Sequence, residues 1–224
     1  MNELKALILC GGKGERLKPI TNKIPKPLVK IGEDSILGHQ LKYLKGQGIN
    51  SFCLATGYKS KLIEEYVEDN YNNYQIKIIN SGQVDIMKRI KDCLPYLSDD
   101  FLVCYGDTLA NVDVNALYKF HKDKKSKATV TSYQLESQFG ILTIDDKGLV
   151  INFQEKPKLN IWINIGYFIF NRKKFEVKSY RFKDFINYLS NNRYLYSYKH
   201  EGLHITINTL DELEQARLNI NKFT

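Results

Sequence analysis

Four short apolar runs mark out the first half of the chain, at residues 6–10, 51–56, 76–79 and 101–105, and stretches of helical period fill the intervals between them. Residues 36–48 carry Ile36, Leu37, Leu41 and Leu44 on one face. Residues 59–71 repeat the pattern with Leu62, Ile63, Tyr66 and Val67, and residues 85–97 with Ile86, Ile90, Leu94 and Leu97. Apolar positions recurring every three to four residues and ending at glycine read as helices packed on a sheet. Strands that alternate with helices at such short spacing predict a mostly parallel sheet joined by right-handed crossovers. Ligands of sheets built this way bind beyond the carboxyl ends of the strands.

At the first of those ends stands the loop Gly11-Gly12-Lys13-Gly14-Glu15-Arg16. Glycine lets a backbone approach a ligand closely and turn its N–H groups toward phosphate oxygens. From Gly11 to Lys30 there are six Lys or Arg residues and one acid, with Lys26 held between Pro25 and Pro27 in what reads as a stiff extended segment. The stretch suits a polyanion. It is not a P-loop, because no Ser or Thr follows a Gly-Lys. It is not a dinucleotide fingerprint either, because Leu17 occupies the third glycine position.

After Asp113 the rhythm changes. A helix at 114–122 precedes strand-like runs at 128–135, 140–144, 150–154 and 161–171. A helix at 182–191, a strand at 193–199 and an amphipathic helix at 210–221 complete the chain. No Gly-, Ser- or Pro-rich linker divides it, so 1–224 reads as one domain, with halves at 1–112 and 113–224. Cys10, Cys53, Cys93 and Cys104 lack CxxC spacing and read as buried free thiols rather than zinc ligands or a disulfide framework. No apolar run reaches the length of a membrane span, and the N-terminus shows no signal-peptide pattern, so the expected location is the cytoplasm. The net charge of +8 is spread among interspersed acids except in the first loop. That argues against nucleic acid as partner and for a nucleotide-sized anion.

The fourth strand runs into Tyr105-Gly106-Asp107-Thr108. A lone carboxylate at a strand end, beside a glycine that admits a ligand, suits Mg²⁺, which takes one or two protein carboxylates and completes its shell with water and phosphate. The same residue could instead cap the next turn. Further on come Phe139-Gly140-Ile141-Leu142 and Phe153-Gln154-Glu155-Lys156-Pro157, then Asn164-Ile165-Gly166 and residues 202–209, GLHITINT. His39, His121, His200 and His204 are scattered and suggest no shared site.

Taken in order, these motifs carry a resemblance. G-G-x-G-x-R-L followed by P-K-P-L at 11–28 resembles the sugar-1-phosphate nucleotidyltransferases, which make NDP-sugars from a nucleoside triphosphate and a sugar 1-phosphate. Residues 101–113, FLVCYGDTLANVD, with the F-G-x-L and F-Q-E-K-P patterns, are most similar to the glucose-1-phosphate cytidylyltransferase branch. The resemblance runs from Leu4 to about Glu214. It implies a Rossmann-like α/β/α three-layer fold of GT-A type, with a nucleotide-binding first half and a β-rich, sugar-phosphate-binding second half. It further implies that Arg16, Lys26 and Asp107 are catalytic. Nucleotide binding would fall to Ile8, Cys10, Gly11, Gly12, Lys13, Gly14, Gln83 and Gly106. Gly140, Glu155, Lys156, Asn164 and Gly166 would bind the sugar phosphate, and Asp107 and Asn208 would hold Mg²⁺.

Two departures stand out. The second metal position is usually Asp and here is Asn208, as in the N-acetylglucosamine-1-phosphate uridylyltransferases. The glycine-rich turn that reads the base is replaced by residues 80–89, NSGQVDIMKR, about one residue short and without a later glycine pair, before Arg89-Ile90-Lys91 rejoins the pattern. Gln83 is the candidate for a pyrimidine edge. The implied substrates are CTP and a hexose 1-phosphate, and a homo-oligomer is compatible with the reading. The alternatives are a guanylyl- or thymidylyltransferase, a cytidylyltransferase for a phosphorylated non-sugar acceptor, and a nucleotide-sugar sensor without turnover.

Overall fold

The structure is a computed structural model describing residues 4–174 and 181–223. Strand β1 (Lys5–Leu9) leads through the glycine loop to a single helical turn, α1 (Ile20–Lys23), and to a two-residue pair, β2 (Lys30–Ile31) and β3 (Asp34–Ser35). Helix α2 (Ile36–Gly46) starts at Ser35, whose hydroxyl accepts the Gly38 N–H. Three units follow: β4 (Ser51–Thr56) with α3 (Ser60–Tyr71), β5 (Gln75–Asn80) with α4 (Ile86–Cys93), and β6 (Asp100–Tyr105). The helix expected over 85–97 stops at Cys93 and continues as a 3-10 turn, Leu94–Tyr96. Pro95 cannot donate to the α-helical ladder.

The second half adds β7 (Thr108–Ala110), α5 (Val114–Asp123), β8 (Ala128–Glu136), β9 (Ile141–Ile144), β10 (Val150–Gln154) and β11 (Lys158–Asn171). Helix α6 (Phe182–Asn191), β12 (Leu195–His200), β13 (His204–Thr206) and α7 (Leu210–Asn219) end it. The main sheet has seven strands in the order β12-β8-β11-β6-β1-β4-β5. Its ladders are parallel except where β11 runs antiparallel between β6 and β8. The second half therefore extends the sheet of the first rather than forming a layer of its own.

Helices cover both faces. Leu37, Leu41 and Leu44 of α2, Ile63 and Val67 of α3 and Leu117 of α5 pack against Ala6, Ile8 and Leu54 on one side. Met87 and Ile90 of α4 and Phe185 and Leu189 of α6 pack on Leu7, Cys53, Val103 and Phe168 on the other. Alternate residues of β1 and β4 thus enter opposite cores, and both strands read as continuous apolar runs because both faces are buried. All four cysteines are buried free thiols. Among the described residues no helix is long and apolar enough to cross a membrane.

Chain order places β4 and β5 on one side of β1, and β6 on the other. The switch between β1 and β6 opens a crevice at their carboxyl ends, where the glycine loop and Asp107 both emerge.

Candidate active site

That crevice is a cleft of about 590 Å³ lined by the first loop, Lys26, Val84, Ile86, Arg89, Tyr105, Gly106, Asp107 and Asn208. Its two strand ends are tied together. The Gly106 N–H donates to Leu9 O at 3.1 Å and the Cys10 N–H to Ala55 O at 2.8 Å. A side chain at 106 would place its Cβ 2.6 Å from Leu9 O, so this contact requires glycine.

Gly14, at φ +63, begins a 3-10 turn over Glu15–Leu17 that carries Arg16 to the cleft wall. The Thr21 hydroxyl donates to Gly14 O at 2.9 Å and fixes the turn. Lys26 opens a second 3-10 turn, Lys26–Leu28, rather than lying extended as its flanking prolines suggested. Pro27 is tolerated there because an N–H at the start of a turn has no partner to lose.

Four side chains distant in sequence meet in the cleft. The Lys26 ammonium donates to Asp107 Oδ2 at 2.7 Å and to Asn208 Oδ1 at 3.0 Å, and Arg16 Nη2 donates to the same Asn208 oxygen at 2.9 Å. The Lys26 side chain is 9% exposed and that of Asp107 36%, so the ion pair has a protected side and an open one. Asn208 arrives there through β13, which pairs antiparallel with β7 and sets Thr206 opposite Thr108, the residue after Asp107. The Asn208 N–H is held by Glu212 Oε2 at 2.5 Å. Lys26 thus bridges the carboxylate and the amide, while Arg16 reaches the amide alone.

A different cation shapes the wall beside the loop at 80–85. Arg89 is 6% exposed and donates to three carbonyls: Thr56 O at 2.5 Å, Gly11 O at 3.1 Å and Gly82 O at 2.7 Å. A Cβ on Gly11 or Gly57 would run into its guanidinium, so both glycines make room for Arg89. Sequence reasoning missed this clamp. Nothing in a linear pattern shows that an arginine's acceptors will be main-chain oxygens from three separate segments.

The remaining candidates divide into those near the cleft and those apart from it. Cys10, Gly11, Gly12, Gly14 and Gly106 line it, whereas Lys13 and Gln83 are exposed beside it, with Val84 on the wall. The Ile8 side chain is fully buried in the core, and its neighbour Leu9 lines the cleft. On the second half, a Cβ on Gly140 would lie 3.1 Å from Glu155 Oε2, which brings these two residues together. Lys156 adopts φ +43, a left-handed backbone that non-glycine residues seldom take. Asn164 Oδ1 accepts the Gly166 N–H at 2.8 Å, and its side chain also bonds the Tyr105 hydroxyl. Gly166, at φ +80, lies so close to the Tyr105 ring that a Cβ would approach it to 2.6 Å. Burial pushes the Tyr105 hydroxyl's pKa up, and the ring links Asn164 and Gly166 to the cleft that Tyr105 lines.

A family model described as nucleotidyl transferase matches residues 5–190. The chain is 36% identical over 248 residues to the probable glucose-1-phosphate cytidylyltransferase of Bacillus subtilis (strain 168), across 98% of this chain and 95% of that one. It is 34% identical over 176 residues to the D-glycero-alpha-D-manno-heptose 1-phosphate guanylyltransferase of Campylobacter jejuni, across 77% and 78% of the two chains. The solved structure of HddC from Yersinia pseudotuberculosis complexed with GMP-PN superposes with a TM-score of 0.77 at 24% identity, over 98% of this chain and 100% of that one. With most of its length matched by the family model and a relative aligned nearly end to end, the chain belongs to the nucleotidyl transferase family, alongside sugar-1-phosphate cytidylyl- and guanylyltransferases.

Proposed function

We propose that this enzyme of nucleotidyl transfer takes CTP as donor and a sugar 1-phosphate as acceptor, and releases an NDP-sugar and pyrophosphate. The observation that carries the reading is the convergence of Lys26, Arg16, Asp107 and Asn208 at the end of the glycine loop. The acceptor's phosphate oxygen attacks the α-phosphorus in line, the bond to the bridging oxygen breaks, and pyrophosphate leaves. No covalent enzyme intermediate is required, since positioning and charge neutralisation supply most of the acceleration. Arg16 and Lys13 offset the charge of the triphosphate and of the departing pyrophosphate. Lys26 lies between the α-phosphate and the incoming phosphate. Lys156 aligns the acceptor's phosphate, Glu155 meets a sugar hydroxyl, and Asn164, Gly140 and Gly166 complete the acceptor side.

Asp107 and Asn208 present a carboxylate and an amide oxygen to one shared ammonium. Two hard oxygen donors of this kind fit Mg²⁺, which leaves its other positions to water and phosphate. When bound, the metal would neutralise phosphate charge at the reacting centre. Support for cytidine comes from the B. subtilis relative, while the C. jejuni relative keeps guanosine as the second reading.

Pyrophosphate release from CTP, UTP, GTP, dTTP and ATP with Mg²⁺ tests all of this, each offered with a panel of sugar 1-phosphates and phosphorylated alcohols and amines. Release with one pair, abolished in Asp107→Ala, is the expected result and names both substrates. Release with a non-sugar acceptor alone would overturn the sugar assignment. Nucleotide binding without release from any pair would replace the enzyme with a sensor.

A further inference from the structure

Helix α2 turns a stripe of Leu37, Gln40, Leu41 and Leu44 inward, and all four are fully buried. Three of them make an apolar face at helical spacing, and Gln40 interrupts it. A buried carboxamide is costly unless its hydrogens find acceptors. Here Gln40 Nε2 donates to Tyr105 O at 2.7 Å and to Thr108 O at 2.6 Å. Only the nitrogen of the amide can donate to two carbonyl oxygens, so these partners fix which way the side chain is turned.

The two carbonyls bracket Asp107. Tyr105 ends β6 and Thr108 begins β7, so one side chain joins both sides of the turn that carries the carboxylate. The same turn is tied to β1 by the Gly106 N–H on Leu9 O. Thr108 also stands opposite Thr206 in the β7–β13 pair that brings Asn208 into the cleft. We propose that Gln40 is a positioning residue for nucleotidyl transfer. Its amide fixes the 105–108 turn and thereby sets both oxygen donors, Asp107 directly and Asn208 by way of β7 and β13. The inference rests on the reading of Asp107 and Asn208 as the donors to Mg²⁺.

Rigidity gives this contact its leverage. Gln40 rides on an eleven-residue helix whose Leu37, Leu41 and Leu44 are locked into the core, so the amide moves only if the helix does. The Asp107 side chain is 36% exposed, and its partner Lys26 is long and rotatable. Precision at the carboxylate therefore has to come from the backbone beneath it. Mg²⁺ demands near-ideal octahedral geometry, and groups that orient a metal's ligands are typically worth about 10–100-fold in metal affinity or activity. A glutamine that merely satisfied two buried carbonyls would support stability and leave the metal requirement alone.

Gln40→Met keeps the length of the side chain and removes both donors, while Gln40→Glu keeps its shape and sets oxygen against the two carbonyls. Each should raise the Mg²⁺ concentration for half-maximal pyrophosphate release about tenfold or more and lower kcat by a similar factor. The KM of either substrate should change less than about twofold, since no substrate contact is lost. Mn²⁺ binding to the nucleotide complex, read by electron paramagnetic resonance without turnover, should weaken in step. Leu189→Ala, a core truncation on α6 across the sheet, is the control: it should lower the denaturation midpoint and leave the Mg²⁺ requirement unchanged. Nuclear magnetic resonance on the unmodified chain needs no substitution and holds where a variant does not fold. The Gln40 Nε2 protons should exchange about a hundredfold or more slowly than those of exposed Gln83, and should shift when Mg²⁺ is added to the nucleotide complex. Fast exchange, resonances indifferent to Mg²⁺, or Gln40 variants with the unmodified chain's Mg²⁺ requirement would each overturn the proposal. An unmodified chain that neither releases pyrophosphate nor binds Mn²⁺ would instead sink the functional reading, and this assignment with it; a working enzyme indifferent to Gln40 sinks the assignment alone.

Discussion

At the scale of single residues the decisive atom is Lys26 Nζ, shared by Asp107 and Asn208. Lys26→Met keeps the buried stem and removes the charge, and we expect kcat/KM to fall by about 10²–10³ in a steady-state pyrophosphate assay, the usual loss when one donor at a reacting centre is removed. Asn208→Asp tests the other side of the pair. A second carboxylate in place of the amide should lower the Mg²⁺ concentration for half-maximal rate by about tenfold, one step of 1.4 kcal/mol, read from a metal titration. The residues that meet in the cleft were legible to different degrees. Arg16, Lys26 and Asp107 sit in compact motifs whose glycines and prolines announce a special backbone. Arg89 is invisible in sequence, because its role lies in the carbonyl oxygens of Gly11, Thr56 and Gly82.

At the scale of elements, that clamp joins the β1 loop, the end of β4 and the loop before α4. Replacing Arg89 by Met leaves buried carbonyls without donors, and a loss of about 3 kcal/mol is expected in denaturant unfolding. The nucleotide KM should rise with little change in kcat, since the clamp shapes a wall and touches no reacting atom. At α5 the Asp113 carboxylate accepts the Ala116 N–H at 2.8 Å, and Asp113→Ala should cost about 1 kcal/mol in the same measurement. The long helices were readable because burial on one face imposes a period, and the central strands because burial on both faces makes them continuous apolar runs. The short ones were not. Strands β7 and β13 have three residues each, too few to show any alternation, and yet their pairing delivers Asn208 to Asp107. The end of α4 depended on Pro95, a breaker that periodicity alone overlooks.

At the scale of the whole molecule, two buried carboxylates set the acid limit. Burial alone would raise the pKa of Asp34, but hydrogen bonds from Lys42, Tyr66, Tyr71 and the Ser35 N–H outweigh it and bring it to about 2. Asp100 follows the same logic: burial opposes ionisation, and His121, Lys122 and Asn171 overcome it, holding the carboxyl well below the usual range. Both groups bind protons more readily in the unfolded chain, whose carboxyls titrate near ~4. Their stabilisation is therefore complete above that pH and drains away as the pH falls toward ~2. Denaturation midpoints measured over this window should decline, and Asp34→Asn should flatten the decline. The architecture was legible in the first half, where βα units dictate a parallel sheet. The seating of β11 between β6 and β8 was not, because pairing partners so far apart leave no local trace. That seating bears on how the protein emerges from the ribosome. The open side of β6 receives its partner only when residues 167–171 have been made, since Tyr167 pairs with Cys104 and Asn171 with Asp100. Until then the nascent chain carries a bare apolar strand edge of the kind that recruits other chains. Synthesis interrupted anywhere between 106 and 166 should yield insoluble fragments rather than a folded first half.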